Sequence, residues 1–307
     1  MNNKLISWII FILLCFIWGS SFILMKESLK GLTATQVASL RIFSAAVVFL
    51  PFAFFHISRI PKKKMGLVVL AGLFGNLLPA FCFAIAILKL DSSLAGILNS
   101  LTPICVATIA IVFFRDKIKA RKIAGVIIGF SGLCVLTFTQ KNISLDNLGY
   151  SLLIIAGTIF YGINVNLVGH YLKGINPVYL ATVSLSFMSL PAFCILWQQG
   201  FFQLDFSDAV TQWSVINSVL LGITASSFAT IIFYMLVQRA GGLFASLVTY
   251  GIPFVALFWG FLDGESITVT EITGLIIILF GVFLANWPGK KESGTKAPPA
   301  EYNAKKQ

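Results

Sequence analysis

The sequence predicts an all-α membrane protein in which ten transmembrane helices form two inverted repeats of five helices each. Three observations support this fold class: the composition, a series of long apolar runs and an internal repeat. Of the 307 residues, 58% are hydrophobic and 11% are charged, and the mean hydropathy is +0.92. Soluble domains usually carry about 25% charged residues, so this chain has too few of them to cover a water-facing surface.

Ten apolar runs are candidates for membrane helices, since crossing a bilayer takes about 20 residues. The first run is longer than the apolar part of a signal peptide and lacks a small-residue cleavage site, so we expect it to remain as helix one. The runs cover residues 5–25, 36–56, 65–88, 93–113, 123–138, 148–169, 177–197, 214–237, 241–261 and 271–287.

The 22 Lys and Arg residues are distributed unevenly between the loops. If the N-terminus is cytoplasmic, most of them fall in cytoplasmic loops and tails, and the outer loops hold only Lys26, Lys30, Lys89 and Lys141. This asymmetry is the positive-inside signal, which predicts a multi-pass protein of the cell (inner) membrane with both termini in the cytoplasm. The net charge of +11 then indicates contact with anionic lipids at the cytoplasmic face, and no nucleic-acid partner is expected.

The two halves of the chain resemble each other. WGSSFILMKESLKGLTATQVA at 18–38 is similar to YGINVNLVGHYLKGINPVYLA at 161–181, and LAGILNSLTPICVA at 94–107 is similar to FASLVTYGIPFVAL at 244–257. Each half holds an odd number of runs, so the second copy starts on the other side of the membrane and is inverted. Inverted repeats are typical of secondary transporters, whose substrate site lies between the repeats. We therefore expect repeats at 1–140 and 148–288, and a disordered basic cytoplasmic tail at 289–307.

Several segments resemble EamA-type proteins of the drug/metabolite transporter superfamily. They are WGSSFILMK in helix one, ASLRIFSAAVVFLP in helix two, LNSLTPICVATIAIVFFRDKI in helix four and AGVIIGFSGLCVL in helix five, together with their counterparts in the second half. The resemblance implies a ten-helix exporter of small metabolites, such as amino acids, nucleobase-like compounds or amphipathic drug-like compounds. One departure is that helix four ends on Arg115-Asp116 where the family usually has a glutamate, which only the second half keeps, as Glu265.

Polar and aromatic side chains inside the apolar runs are the candidate substrate-binding residues, because polar groups in a bilayer are costly and usually face a cavity. We expect a central cavity lined by helices one, three, four, six, eight and nine, with helices five and ten at the periphery. Its aromatic residues suit a neutral, zwitterionic or planar amphipathic solute. For each single Asn, Ser or Thr, the alternative is a hydrogen bond to a neighbouring helix. The candidates are Trp18, Lys26, Arg41, Asn76, Asn99, Thr102, Tyr161, Asn164, Ser227, Thr230, Tyr234, Thr249 and Tyr250.

Two prolines and two cations have specific expectations. Pro103 and Pro253 occupy matched places, where broken helices often mark a binding site, although a kink that only shapes the bundle is the alternative. Lys26 and Arg41 have no cationic counterpart in the second half. We expect one of them to bind a carbonyl or carboxylate of the substrate, or a gate residue such as Glu27. In the alternative, Lys26 snorkels and Arg41 bonds helix-end carbonyls.

The sequence favours a secondary transporter that works by alternating access over an enzyme. It shows no carboxylate pair within the membrane, no metal-ligand spacing among its His and Cys residues and no phosphate-binding loop, so we expect no catalytic residue, metal site or cofactor. Two alternatives remain: an obligate antiporter of phosphorylated or nucleotide-linked metabolites, and a non-transporting sensor or scaffold that uses the basic tail. The expected partners are a small-molecule substrate and lipid, and the expected assembly is a monomer or a weak homodimer.

Overall fold

The computed structural model describes residues 3–90, 92–138, 148–255, 258 and 269–287, and the regular elements in these ranges are all helical. The linker at 139–147, Glu265 and the tail at 289–307, for which the sequence made predictions, lie outside the described residues.

The helices are numbered in chain order, and a helix interrupted by a tighter or wider turn keeps one number. They are α1 (Asn3–Ser28), α2 (Ala34–His56), α3 (Met65–Gly72, Leu73–Leu77 and Leu78–Ile87), α4 (Ser92–Asn99 and Thr102–Phe114), α5 (Ala120–Phe138), α6 (Leu148–His170), α7 (Pro177–Phe187 and Ser189–Gln198), α8 (Ala209–Leu221, Gly222–Phe228 and Ala229–Ala240), α9 (Gly242–Val255, with a 3₁₀ turn at Leu247–Tyr250) and α10 (Val269–Asn286).

The fold class follows from the length and the surface of these helices. Among the described residues, six helices are long and apolar enough to cross a membrane, namely Lys4–Ser28, Ala34–Arg59, Lys62–Ile87, Leu148–His170, Pro177–Gln198 and Ala209–Ala240. Shorter apolar helices lie at Thr102–Phe114, Gly242–Val255 and Ile272–Asn286. Many large apolar side chains point outward, as Phe54 does at 80% exposure, which suits lipid. The chain is an all-α, multi-pass membrane protein, whereas ten spans and an inverted repeat stay predictions.

Hydrogen bonds between loops define two ends of the bundle. At one end, which we call the basic end, Lys64 Nζ donates to the Tyr171 carbonyl (2.8 Å) and Gln238 Nε2 donates to the Ile175 carbonyl (2.9 Å). Arg121 also donates to the carbonyl of Trp287 there, so the C-terminal end of α10 lies at the same end. At the opposite end, Gln36 Nε2 donates to the Gln199 carbonyl (3.0 Å).

Polar caps begin two of the helices that start at the opposite end, α2 and α8. Thr33 and Gln36 form a reciprocal capping box at the start of α2. At the start of α8, the Asp208 carboxylate accepts from the backbone N–H and the hydroxyl of Thr211. These bonds lower the pKa of Asp208 below its usual value, because they favour the ionised form. Each cap fixes the residue at which its helix enters the bundle, and with it the register of the side chains further along.

Besides α7, which is interrupted at Met188, four helices are irregular near the middle of the bundle. α4 is interrupted at Ser100 and Leu101, just before Pro103, and α9 tightens into its 3₁₀ turn just before Pro253. Proline lacks the N–H that would continue the helical hydrogen bonds. α3 and α8 instead contain wide π-helical turns at Leu73–Leu77 and Gly222–Phe228. Such turns often occur at functional sites, because they redirect side chains out of the regular helical pattern.

α5 and α10 pack closely against each other through glycines. A Cβ atom on Gly281 would lie 2.6 Å from the carbonyl oxygen of Gly125, and one on Gly132 would lie 2.8 Å from the carbonyl oxygen of Gly274. Small residues therefore bring the two backbones into direct contact, as in other membrane helix pairs.

Candidate functional site

A central cavity of about 80 Å³ lies inside the bundle, and the irregular helices α3, α4, α8 and α9 border it. α1 and α6 also border it, as does α2, which sequence analysis did not place there and which contributes Arg41. Most of the predicted candidates line this cavity: Trp18, Arg41, Asn76, Asn99, Thr102, Tyr161, Asn164, Thr230, Tyr234 and Thr249.

Three predicted candidates lie elsewhere. Lys26 is exposed near the opposite end, and Glu27, its expected neighbour, pairs with Lys30 instead (2.6 Å). Ser227 donates to the carbonyl of Ala45 (3.1 Å), across the contact between α8 and α2. Tyr250 is fully buried, and its hydroxyl donates to the carbonyl of Val126 in α5 (2.8 Å). The alternative of a hydrogen bond to a neighbouring helix therefore describes Ser227 and also Tyr250.

Arg41 brings a cation into the cavity. It lies seven residues after the start of α2, about 10 Å along the helix. Its Nε donates to the hydroxyl of Ser226 in the π-helical turn of α8 (2.8 Å). The two ion pairs found among the described residues, Lys30 with Glu27 and His170 with Asp116, do not involve it. The bond to helix-end carbonyls, which was the alternative for Arg41, is thus replaced by a bond to a serine, and the Arg41 side chain lines the cavity.

Two polar pairs join helices across the cavity. Asn76 Oδ1, in the π-helical turn of α3, accepts from the Thr230 hydroxyl of α8 (3.2 Å). Its amide nitrogen is buried and has no hydrogen-bond partner. The Tyr234 hydroxyl of α8 donates to Asn164 Oδ1 of α6 (3.4 Å). Among the described lining residues, the two amide oxygens are therefore satisfied acceptors, whereas Asn76 Nδ2 is a buried donor without a partner.

The helix breaks of α4 and α9 meet at the cavity. The Ser100 hydroxyl lies 3.4 Å from the carbonyl oxygen of Thr249. Thr102 donates to the carbonyl of Asn99 (2.5 Å), and Thr249 donates to the carbonyl of Ser246 (3.0 Å), so both hydroxyls satisfy backbone groups near a break. These threonines stabilise the interrupted backbone, and they border the cavity as they do so.

Aromatic rings form an apolar wall of the cavity. The Trp18 indole lies 5.1 Å from the Phe233 ring, and its N–H donates to the carbonyl of Ala225 (3.0 Å). Phe83 and Tyr161 form a second ring pair at 5.9 Å. Such rings can hold a planar solute by stacking and burial.

Sequence reasoning missed several lining residues. On α1, Ser21, Phe22 and Met25 join Trp18 at the cavity. Their spacing of three, four and seven residues from Trp18 puts them on one helix face, so the helical period would have found them once Trp18 was chosen. Phe83 and Phe233 also line the cavity, although the aromatic candidates from the sequence were Trp and Tyr residues, which carry a polar atom.

A larger cleft of about 610 Å³ opens at the basic end and shares Val165 as a wall with the central cavity. Its basic lining residues are Lys117, Lys119, Lys122, Lys173 and Arg239. Asp116 also lines it, and the carboxylate accepts from His170 Nε2 (3.1 Å) while the His170 ring stacks on Phe114. The family departure at Arg115-Asp116 thus places a carboxylate against α6. Within the part of the chain that the structure describes, no cluster of three His, Cys, Asp or Glu side chains could hold a metal ion.

Comparisons with known proteins agree with this architecture. The family model named EamA-like transporter family matches residues 5–138 and 148–287, so the chain belongs to that family. An uncharacterized transporter of Archaeoglobus fulgidus is 25% identical over 91% of this chain and 98% of its own length. The uncharacterized transporter YoaV of Bacillus subtilis is 23% identical over 87% and 92%. A solved crystal structure, 14% identical, matches with a TM-score of 0.69 over 91% of this chain and 96% of its own, which shows the shared fold. The chain is therefore a membrane transporter of the EamA type.

Proposed function

We propose that the protein is a secondary transporter that exports a small metabolite by alternating access through the central cavity. The observation that carries this proposal is a cavity bordered by four interrupted helices at the centre of an EamA-type bundle. Interrupted helices at a bilayer midplane free backbone groups to face a substrate, and they can bend as a gate opens.

Reciprocal contacts support the inverted repeat. The sequence repeat pairs Gly125 with Gly274 and Gly132 with Gly281, at the same offset. Gly125 lies against Gly281 and Gly132 lies against Gly274, so exchanging the two repeats turns one contact into the other. A two-fold relation between antiparallel helices produces this exchange.

The irregular turns support the same relation. The π-helical turns of α3 and α8 occupy matched stretches of the two repeats, as do the interruptions of α4 and α9. α1 packs against α8 and α3 packs against α6, which are again exchanged pairs. Two matched sets of turns are a plausible basis for two gates that open in alternation.

For the substrate site, we propose the predicted candidates that line the cavity, with the aromatic pairs holding the solute body and the polar groups orienting it. The basic end would face the cytoplasm, where its Lys and Arg residues would contact anionic lipid headgroups. The cleft at that end would be the route by which a cytoplasmic solute enters.

Counterflow in proteoliposomes tests this function. Purified protein should exchange a labelled solute against an internal pool of the same solute, for at least one member of a panel of amino acids, purines, organic cations and organic anions. Trp18→Ala should lower the rate about tenfold, which corresponds to losing roughly 1.4 kcal/mol of stacking and burial. Trp287→Ala, which removes a half-exposed indole at the end of α10, is the matched control and should keep the rate. A folded protein without counterflow of any solute would favour a sensor or scaffold.

A further inference from the structure

Positive charge marks both the central cavity and the cleft beside it. We propose that the transported substrate is a small organic anion, in which a carboxylate or similar oxyanion is joined to a planar apolar body. This inference deepens the proposed function and rests on it, because it takes the central cavity as the substrate site.

Arg41 is the first observation. It lies about 10 Å inside the bundle, and no Asp or Glu among the described residues forms an ion pair with it. A cation at such depth without a counter-charge is unfavourable. With Nε bonded to Ser226, the outer nitrogens of the guanidinium can donate to an oxyanion at the cavity wall. A carboxylate matches this planar donor edge, so it would remove the electrostatic cost and be held in a fixed orientation.

Asn76 is the second observation. Its side chain is 8% exposed and lines the cavity, its Oδ1 accepts from Thr230, and its Nδ2 has no partner. A buried donor left unpaired costs about 1–3 kcal/mol, and an acceptor on the substrate would satisfy it. Arg41 and Asn76 therefore both favour a hydrogen-bond acceptor on the substrate, and the positive charge of Arg41 favours an acceptor that carries negative charge.

The lining as a whole excludes the opposite charge. The described residues that border the central cavity include no Asp or Glu. A cationic solute would have to lose its hydration beside Arg41 without a carboxylate to compensate it, and like charges in a site of low dielectric repel strongly. A planar body fits the same cavity, because the Trp18–Phe233 and Phe83–Tyr161 pairs offer ring faces and edges.

The cleft at the basic end supports the anion independently. Five Lys and Arg side chains line it, and among the described lining residues the one carboxylate, Asp116, is hydrogen-bonded to His170. Topology requires basic residues at the cytoplasmic end but does not require them to line one cleft. A cleft lined mainly by one sign of charge focuses the field and raises the local concentration of the opposite charge, by roughly 10- to 1000-fold in favourable cases. The cleft would therefore gather anions next to the cavity.

A charge series tests the proposal on the full-length protein in detergent. Phenylacetate, phenylacetamide and phenethylammonium share a phenyl ring and carry charges of −1, 0 and +1. Isothermal titration should show the tightest binding for phenylacetate. Arg41→Gln should weaken phenylacetate binding by roughly 30-fold or more, and Arg41→Lys should restore part of it. Lys63→Gln, which removes an equal charge from an exposed position at the start of the Lys62–Ile87 helix at the basic end, should leave binding unchanged.

A second variant, at Asn76, keeps the proposal testable if the Arg41 variants do not fold. Asn76→Leu conserves the size of the side chain and removes the free donor, so it should weaken phenylacetate binding more than phenylacetamide binding. Equal binding of the three probes, a preference for phenethylammonium, or no phenylacetate binding would overturn the proposal. Displacement of phenylacetate by added phosphatidylglycerol would also overturn it, since the donors would then hold a lipid headgroup.

The outcome separates this inference from the proposed function. Counterflow of amines or neutral solutes without phenylacetate binding would refute the proposal of an anionic substrate, while the proposal of a transporter would stand. Phenylacetate binding without counterflow of any solute would refute the proposed transport function, while the proposal of an anion-binding site would stand.

Discussion

Tyr234 and Tyr250 show how residues of one type acquire different roles. Both were expected near the cavity, and both are at most 1% exposed. Tyr234 borders the cavity and bonds Asn164, whereas Tyr250 points to α5, where its ring fills the space beside Gly129. A residue on α9 can face either the cavity or α5, and the geometry of the 3₁₀ turn at Leu247–Tyr250 directs Tyr250 toward α5.

Tyr250→Phe should therefore lower stability and keep transport. The change removes the donor to the Val126 carbonyl, which costs about 1 kcal/mol. Thermal unfolding in detergent measures the stability, and counterflow measures the activity. Tyr234→Ala is the comparison, and it should reduce transport, because it removes a cavity wall. A loss of transport in Tyr250→Phe at unchanged stability would contradict this assignment.

Residue types in the membrane predicted many residues that line the candidate cavity, but their individual contacts could not be predicted. Asn, Thr and Arg in apolar runs are rare enough to be selected from the sequence, and Arg41, Asn76 and Thr230 indeed border one cavity. Lys26 does not border the cavity, because a lysine at a helix end can extend into solvent, as the stated alternative expected, and its side chain does so. The bond from Arg41 to Ser226 joins residues 185 positions apart, so sequence spacing carries no signal for it.

At the scale of elements, the close contact of α5 and α10 depends on glycine. Gly281→Ala should destabilise the protein by about 1–3 kcal/mol, because the added Cβ meets backbone atoms of Gly125 and Gly129 that cannot move cheaply. Gly66→Ala in α3 is the matched control, since a Cβ there has no neighbour within 4 Å. It should leave the melting temperature unchanged or raise it, as alanine favours helix. Equal melting temperatures for the two variants would show that the helices separate easily.

Helix interruptions were only half predictable. Pro103 and Pro253 indicated the breaks in α4 and α9 from the sequence, because proline removes a helical hydrogen bond. The π-helical turns of α3 and α8 have no comparable residue signature, although Asn76 in one and Ser226 in the other make the contacts described above. Packing between helices, not local propensity, selects such turns.

At the scale of the whole molecule, the two ends of the bundle predict an orientation. Loops rich in Lys and Arg meet at the basic end, and the positive-inside rule puts that end in the cytoplasm. In intact cells that produce a cysteine-free variant, a membrane-impermeant maleimide should label Lys30→Cys and should label Lys63→Cys only after the cells are opened. Both positions are exposed, so the comparison depends on sidedness alone. The reverse pattern would invert the topology.

Alternating access requires that the two ends of the bundle open in turn. In the described state the large cleft opens at the basic end, and an apolar cluster that includes Met25, Leu32 and Val37 closes the opposite end. Met25 is 3% exposed, and Val165 is 1% exposed where cleft and cavity meet. The test uses a variant that lacks Cys15, Cys82, Cys105, Cys134 and Cys194 and carries a single cysteine at one of these two positions. The rate at which a charged thiol reagent labels each cysteine then measures how open the gate at that position is.

The two labelling rates should move in opposite directions. A solute that supports counterflow should speed the labelling of Met25→Cys from the opposite end, because each cycle exposes the cavity there. The same solute should slow the labelling of Val165→Cys from the basic end, since that gate must close while the other is open. Labelling rates that both rise would indicate a continuous pore. Labelling rates that do not change when the solute is added would indicate a protein that does not change conformation during transport. Only opposed changes are compatible with one cavity that serves two gates in turn.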